Sequence, residues 1–345
     1  MSKKAKKVAP RQAQGNPEHC RRIVCIGGGT GISVLLSGLK KYPLDLTAIV
    51  TMFDSGGSSG KLRKELGALP LGDIRQSITS TAKDIGLAQF FNCREDGESM
   101  GNYLILEEER KTGSLEKAIK KWERKLGSKA HIIPVTLEGA DIVAVLKNDR
   151  RIKQEEKIIN CSLISKIGVK NLFLEPKVKA NPRALSAIKN ADLIVFAPGK
   201  FYTSIISNLL VKGFSEAVRK SRGKKVFICN LMTQLGNTDG FGVEDFLTVL
   251  EKYLGKDVID YVIFNTGKLS SGKLERVKRV FPGADFIKYG KALLKKKNFV
   301  PADVLNRDIR ALNPKDSLVR GANQRTMVLH DQEKLAKIVF NTCKQ

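Results

Sequence analysis

The segment RRIVCIGGGTGISVLLSGLKKY, residues 21–42, constrains the fold more than any other part of the chain. Residues 23–26 form an apolar run short enough for a buried strand, a glycine-rich turn follows, and Val34, Leu35 and Leu39 then recur at helical spacing. Strand, turn and helix in this order make a β-loop-α unit, whose following strand runs parallel to the first. A second apolar strand at residues 46–52 ends in another glycine-rich loop, residues 53–60. The alternation resumes with a strand at residues 193–196 and a helix from about residue 204 to 220. A strand at 225–230, a helix near 243–253 and a strand at 262–264 continue it. Residues 74–126 read as mostly helical. The stretch beginning HIIPVTLEGADIVAVLKNDRRIK alternates in the manner of a sheet and carries a turn at Asn148-Asp149, so it reads as a β-hairpin insertion on the main sheet, not part of its parallel core. After Gly272 the pattern weakens until residues 332–340, which have the spacing of a terminal amphipathic helix. The predicted architecture is α/β: a mostly parallel sheet with helices on both faces and a β-hairpin insertion.

At 345 residues and 42% hydrophobic content the chain has material for a large core. Residues 1–20 differ, being polar, basic and without period, and are expected to form a flexible tail ahead of a single α/β domain over residues 21–345. That tail lacks the apolar stretch of a secretory signal, and no run approaches the roughly 20 apolar residues of a membrane span. No membrane partner and a cytoplasmic location are therefore expected. The six cysteines are dispersed without a CxxC pair, and Cys25 and Cys229 fall in apolar runs where a reduced thiol packs as a small hydrophobe. Three histidines, at 19, 131 and 330, are too far apart for a zinc-binding pattern, so no metal centre is expected. The formal net charge of +26 raises the question of nucleic acid. The lysines and arginines are, however, spread along the chain without interleaved aromatic residues, the pattern of a basic solvated surface.

Polar residues gather at the carboxyl ends of the predicted strands, where parallel sheets bind ligands. The loop of Gly27, Gly28, Gly29, Thr30 and Gly31 offers backbone N–H groups and a helix amino end to a phosphate, or serves only as a tight turn. It lacks the full dinucleotide fingerprint, because Ile32 stands where the third glycine would. Asp54, about 25 residues after Gly29, is placed to bind a ribose or sugar hydroxyl, to ligate Mg²⁺, or to make an Asx turn. Gly56, Gly57, Ser58 and Ser59 add bare amides and hydroxyls suited to anions. Asp73 and Arg75 in LPLGDIR are either ligand contacts or a structural charge pair. Gly199, Tyr202, Thr203 and Ser204 follow the strand at 193–196, and Asn230, Thr233, Gln234, Thr238 and Asp239 form a dense polar loop after the next. No nucleophile is evidently paired with a base, so no catalytic residue is assigned.

Five motifs in order, GGGTGISVLLSGLKKY, TAIVTMFDSGGSSGKLR, LPLGDIR, PGKFYTSIISNLLV and CNLMTQLGNTDGF, resemble the CofD-like family, and in particular its YvcK branch of gluconeogenesis factors. The resemblance spans roughly residues 22–266. It implies a modified Rossmann-like fold, binding of uridine diphosphate sugars without a required cofactor, and regulation, through a protein partner, of carbon metabolism, cell-wall precursor supply and cell shape. The other branch implies a different activity, 2-phospho-L-lactate transfer from a guanosine diphosphate-linked donor with Mg²⁺. Here Ser55 replaces a second aspartate that often follows Asp54, and Lys200, Ser207 and Leu235 stand where the YvcK pattern commonly has Ser, Pro and Pro.

Overall fold

A computed structural model describes residues 22–95, 97–309 and 327–344. The predicted tail at 1–20 lies outside them. Seven parallel strands form the main sheet, in the order β12-β11-β10-β9-β1-β2-β5. In chain order these are β1 (Arg22–Gly27), β2 (Asp45–Val50), β5 (Ala130–Pro134), β9 (Leu193–Phe196), β10 (Lys224–Ile228), β11 (Tyr261–Asn265) and β12 (Phe299–Ala302). Helices cover the sheet on both faces, which is why Ile23, Val24, Cys25 and Ile26 of the central strand are all buried. Burial pushes the Cys25 thiol up to about 12, consistent with a packing role.

The first helix, α1 (Gly29–Leu39), buries Ile32, Leu35, Leu36 and Leu39, the i, i+3, i+4, i+7 stripe of a helix against a core. Helices α2 (Gly57–Leu66) and α3 (Gly72–Thr81) follow β2, and α4 (Ile85–Asn92), α5 (Met100–Thr112) and α6 (Leu115–Leu126) fill the region predicted to be helical. A short ribbon, β3 (Arg94–Glu95) with β4 (Glu98–Ser99), interrupts it. The predicted hairpin is β6 (Asp141–Leu146) and β7 (Arg151–Lys153), turning at Asp149 with φ 63°; with β8 (Val169–Glu175) it forms a separate antiparallel sheet rather than the expected insertion on the main sheet. Helix α7 (Glu155–Ile159) leaves that sheet directly after β7.

Three further expectations need correction. Residues 130–134, assigned from sequence to the insertion, form β5 and pair parallel to β2 at the sheet edge. The short run Ile132-Ile133 carries no periodicity of its own, and only the pairing partner decides which sheet it joins. The second glycine loop stops at Gly56, because residues 57–59 already open α2. The helix expected at about 204–220 is divided into a π-turn at Phe201–Ile206, one turn at Ser207–Leu209 and a helix at Phe214–Lys220. Gly213 at φ 89° breaks the run, a conformation costly for any other residue. Beyond Gly272, where the pattern was weak, the chain forms a helix at Ser271–Val280 and the edge strand β12. Its terminal helix is Gln332–Lys344. No helix among the described residues is long and apolar enough to cross a membrane.

Candidate functional site

Chain order and sheet order together locate the site. From β1 the chain moves outward through β2 to β5, then returns to the other side of β1 to build β9, β10, β11 and β12. The loops leaving β1 and β9 therefore diverge to opposite sides and leave a crevice at their carboxyl ends. A cavity of about 500 Å³ occupies that position.

Its walls are the strand-end loops. Gly28, Gly29, Thr30 and Gly31 come from the start of α1, Asp54 and Gly56 follow β2, and Gly199, Thr203 and Ser204 follow β9. Asn230, Thr233 and Gln234 follow β10, and Asp73 comes from α3. The glycines allow close approach for separate reasons. A Cβ on Gly31 would overlap the carbonyl oxygen of Pro198, one on Gly28 would overlap the Asp73 carboxylate, and Gly29 adopts φ +58°. Asn230 ties two loops together: its Nδ2 donates to Gly199 O at 2.9 Å and its Oδ1 accepts from Gly199 N at 3.3 Å. Asn230→Ala removes both bonds and should lower the denaturation midpoint by an amount corresponding to about 1–2 kcal/mol. Urea unfolding of the two proteins measures it.

Other sequence candidates lie beside the cavity rather than on it. Gly27 packs between strands, where a Cβ would sit 3.3 Å from that of Ala197. Ser59 Oγ accepts from Gly72 N at 3.1 Å, joining α2 to α3, and Gly57 and Ser58 lie in the first turn of α2. Arg75 turns away to Asn102, at 3.1 Å from Nε, and to Asn92. Tyr202 is buried against Phe201, with its hydroxyl pushed up by burial. Thr238 Oγ1 accepts from Gln234 N at 2.8 Å and Asp239 Oδ2 accepts from Gly236 N at 2.6 Å, so both shape their own loop. Asp54 Oδ1 accepts from Gly56 N at 3.1 Å, an Asx turn that leaves the residue on the cavity wall.

Two charged residues absent from the sequence-based set complete the polar end. Glu155 opens α7, and the Lys200 ammonium is 2.9 Å from its Oε1. Glu155 is delivered by Gln154, which holds φ 84°, a costly backbone position for a residue with a side chain. Its carboxylate is 5% exposed and its Oε2 has no hydrogen-bond partner among the described residues. Nothing local marked Glu155, since it is about a hundred residues from Asp54 in the chain. Lys200 was visible only as a departure from the family pattern. A further group found only in space adds apolar lining, Leu231, Met232, Val280, Phe281 and Val328, together with His330. The buried His330 imidazole is pulled down to about 4 by desolvation and stays neutral at physiological pH.

The polar end is electrostatically crowded. Burial, reinforced by the charge of Asp54, raises the Asp73 carboxyl to about 7, against the pull of Lys200 and of a hydrogen bond from Gly29 N–H. Burial also raises Glu155 to about 7, despite Lys200. For Lys200 burial opposes the charge, but Glu155, Asp54 and Asp73 together outweigh it, and the ammonium is held above its ordinary value. A carboxyl whose folded value is raised favours the folded state while protonated. That stabilisation is complete below the unfolded value of 3.8 for Asp73 and is lost as pH rises through about 7. Asp73→Asn, which keeps an acceptor for Gly29 N–H, should flatten the fall in stability between pH 4 and 7. Urea midpoints measured across that range for both proteins check it; parallel curves would contradict the assignment.

The family described as 2-phospho-L-lactate transferase CofD matches residues 23–302. The chain is 32% identical to the gluconeogenesis factor of Bacillus subtilis over 94% of its own length and 98% of that protein's. It is 37% identical to the gluconeogenesis factor of Halalkalibacterium halodurans over 72% of its length and 79% of that protein's. A crystal structure of a Bacillus halodurans protein superposes with a TM-score of 0.81 at 30% identity, covering 93% of this chain and 99% of that one. With the crevice at the β1–β9 switch and the five motifs around it, this chain belongs to the CofD-like family, in its YvcK branch of gluconeogenesis factors.

Proposed function

We propose that the chain is a nucleotide-sugar-binding regulator, acting through occupancy of the β1–β9 crevice rather than turnover, that links carbon metabolism to cell-wall precursor supply and cell shape. The observation that carries this reading is the mixed lining of the cavity. It combines glycine amides, hydroxyls and charged groups suited to a diphosphate and sugar with apolar side chains suited to enclosing a base. Its hydroxyls are not set against a base: Thr51 Oγ1 meets Ser207 Oγ at 3.2 Å, and the Thr203 hydroxyl has no hydrogen-bond partner among the described residues. A uridine diphosphate sugar is the ligand class that uses both kinds of lining, and a regulatory protein partner would read the occupied state.

The description of the matched family favours a second reading, 2-phospho-L-lactate transfer, for which the resemblance implies a guanosine diphosphate-linked donor. In that reading Asp54 would hold Mg²⁺. Carboxylate oxygens suit Mg²⁺, but among the described residues no three acidic, histidine or cysteine side chains come together as a metal site, and the Lys200 ammonium interacts with the same carboxylates. The donor set fits a divalent ion poorly.

Thermal unfolding in the presence of uridine diphosphate glucose, guanosine diphosphate and NAD separates the readings. A uridine diphosphate sugar at about 100 times its dissociation constant should stabilise the protein by about 2.7 kcal/mol. Stabilisation by guanosine nucleotides alone, with transfer to a deazaflavin alcohol in the presence of Mg²⁺, would replace the regulator by the enzyme.

A further inference from the structure

We propose that the cleft between α6, the edge strand β5 and the helix Pro182–Asn190 is a second anion-binding site, separate from the crevice, that takes a small ligand carrying several phosphates. The inference does not depend on what the crevice binds.

Helix α6 has two opposite faces. Leu115, Ala118, Ile119, Trp122 and Leu126 are buried in the core. Lys117, Lys120, Lys121 and Arg124 stand at i, i+3, i+4 and i+7, so they form one stripe on the other face. On a flat surface such a stripe would simply be solvated. Here it lines a cavity of about 720 Å³, the size of a small-molecule site, together with His131 of β5 and Arg183 of the neighbouring helix. No residue lines both this cleft and the crevice.

The acids nearby are already engaged. Glu108 pairs with Lys121, and Glu116 Oε1 accepts from Arg183 and Asn181, each at 3.1 Å. Glu123 is buried and accepts from the Ile132 N–H of β5. Burial raises its carboxyl, against that hydrogen bond and the charges of His131, Arg183 and Lys120, so cations of three elements converge on one point. Lys117, Lys120 and Arg124 are exposed and make no ion pair among the described residues. Uncompensated positive charge in a concave surface concentrates anions. Two features narrow the class of anion. Glu123 occupies an edge N–H of β5 that an added peptide strand would need, so the cleft recognises charge rather than a backbone. From Lys117 to Arg124 the stripe runs about 10 Å, and no Phe, Tyr or Trp lines the cleft to stack a base, which fits a compact polyphosphate better than a nucleic-acid strand.

Calorimetry with inorganic tripolyphosphate in EDTA tests the proposal. The wild type should bind one equivalent, and added uridine diphosphate glucose should not displace it. Lys120→Gln with Arg124→Gln replaces two exposed side chains, should leave the unfolding midpoint unchanged, and should weaken binding roughly tenfold or more. Glu123→Gln keeps an acceptor for Ile132 N–H but removes the central acid, and should tighten binding a few-fold. Arg222→Gln with Lys256→Gln, a pair exposed elsewhere, should bind as the wild type does. Absence of binding by the wild type, or affinity unchanged in the cleft pair, would overturn the site. An equal loss in the Arg222 and Lys256 pair would reduce it to the diffuse attraction of a basic surface, and displacement by uridine diphosphate glucose would place the probe in the crevice. Tighter binding of a duplex oligonucleotide than of tripolyphosphate, lost in the cleft pair, would overturn the small-ligand assignment in favour of nucleic acid.

Discussion

Gly31→Ala is expected to lower stability by about 3 kcal/mol, the upper end of what one misplaced methyl group costs in a tight interior, and to abolish ligand binding with it. The added Cβ would overlap the carbonyl oxygen of Pro198 and lie 2.6 Å from its carbonyl carbon, both backbone atoms with no rotamer to change. Relief requires the first turn of α1 to move away from the loop after β9, opening the crevice proposed to hold the phosphate. Gly29→Ala is the informative control. A Cβ there meets nothing closer than Asp73 Oδ1 at 3.9 Å, so its cost is the left-handed backbone alone, about 1–2 kcal/mol. Urea midpoints rank the two, and calorimetry with uridine diphosphate glucose follows binding. Equal costs would mean that contact between the α1 and β9 loops does not hold the crevice closed.

Removing the Asp54 carboxylate with Asp54→Ala should reduce affinity for the intact nucleotide sugar by about 1.5–3 kcal/mol, the value of a hydrogen bond to a charged group, with little dependence on Mg²⁺. Its backbone is already held by the Asx turn to Gly56 N at 3.1 Å, and one carboxylate oxygen is left for a ligand hydroxyl. The same change removes a charge that raises both Asp73 and Glu155, so their protonation should shift to lower pH. Uridine diphosphate, which lacks the sugar, should lose much less affinity than uridine diphosphate glucose. Affinity lost only when Mg²⁺ is present would reject the sugar contact and restore the transferase reading.

The legible part of the site was the part written locally. Gly28, Gly29, Thr30 and Gly31 announce themselves because a buried strand and a helix flank them, and such a turn needs residues that tolerate close approach. Asp54 and Asn230 were visible for the same reason, as polar residues at strand ends. Arg75, Tyr202, Thr238 and Asp239 share that composition yet serve the loops themselves, because side-chain direction depends on what packs around them. Edge strands were harder than central ones. β9 is apolar throughout and its bounds could be read directly, whereas β5 and β12 are short edge strands whose assignment comes from pairing with a neighbour.

The amino-acid sequence by itself determined the β-loop-α alternation, the parallel main sheet, the presence of a hairpin and the family, because each follows from short-range periodicity or from contiguous motifs; that the hairpin belongs to a sheet of its own came from the structure. Only the tertiary structure decided that β1 and β9 are neighbours, which creates the crevice, and that Glu155 meets Lys200 there. These are long-range contacts between segments whose local patterns are indifferent to one another. Their charge state is likewise a property of the fold: Asp73 and Glu155 are ordinary acids in the unfolded chain, and burial beside Asp54 is what brings both close to neutrality.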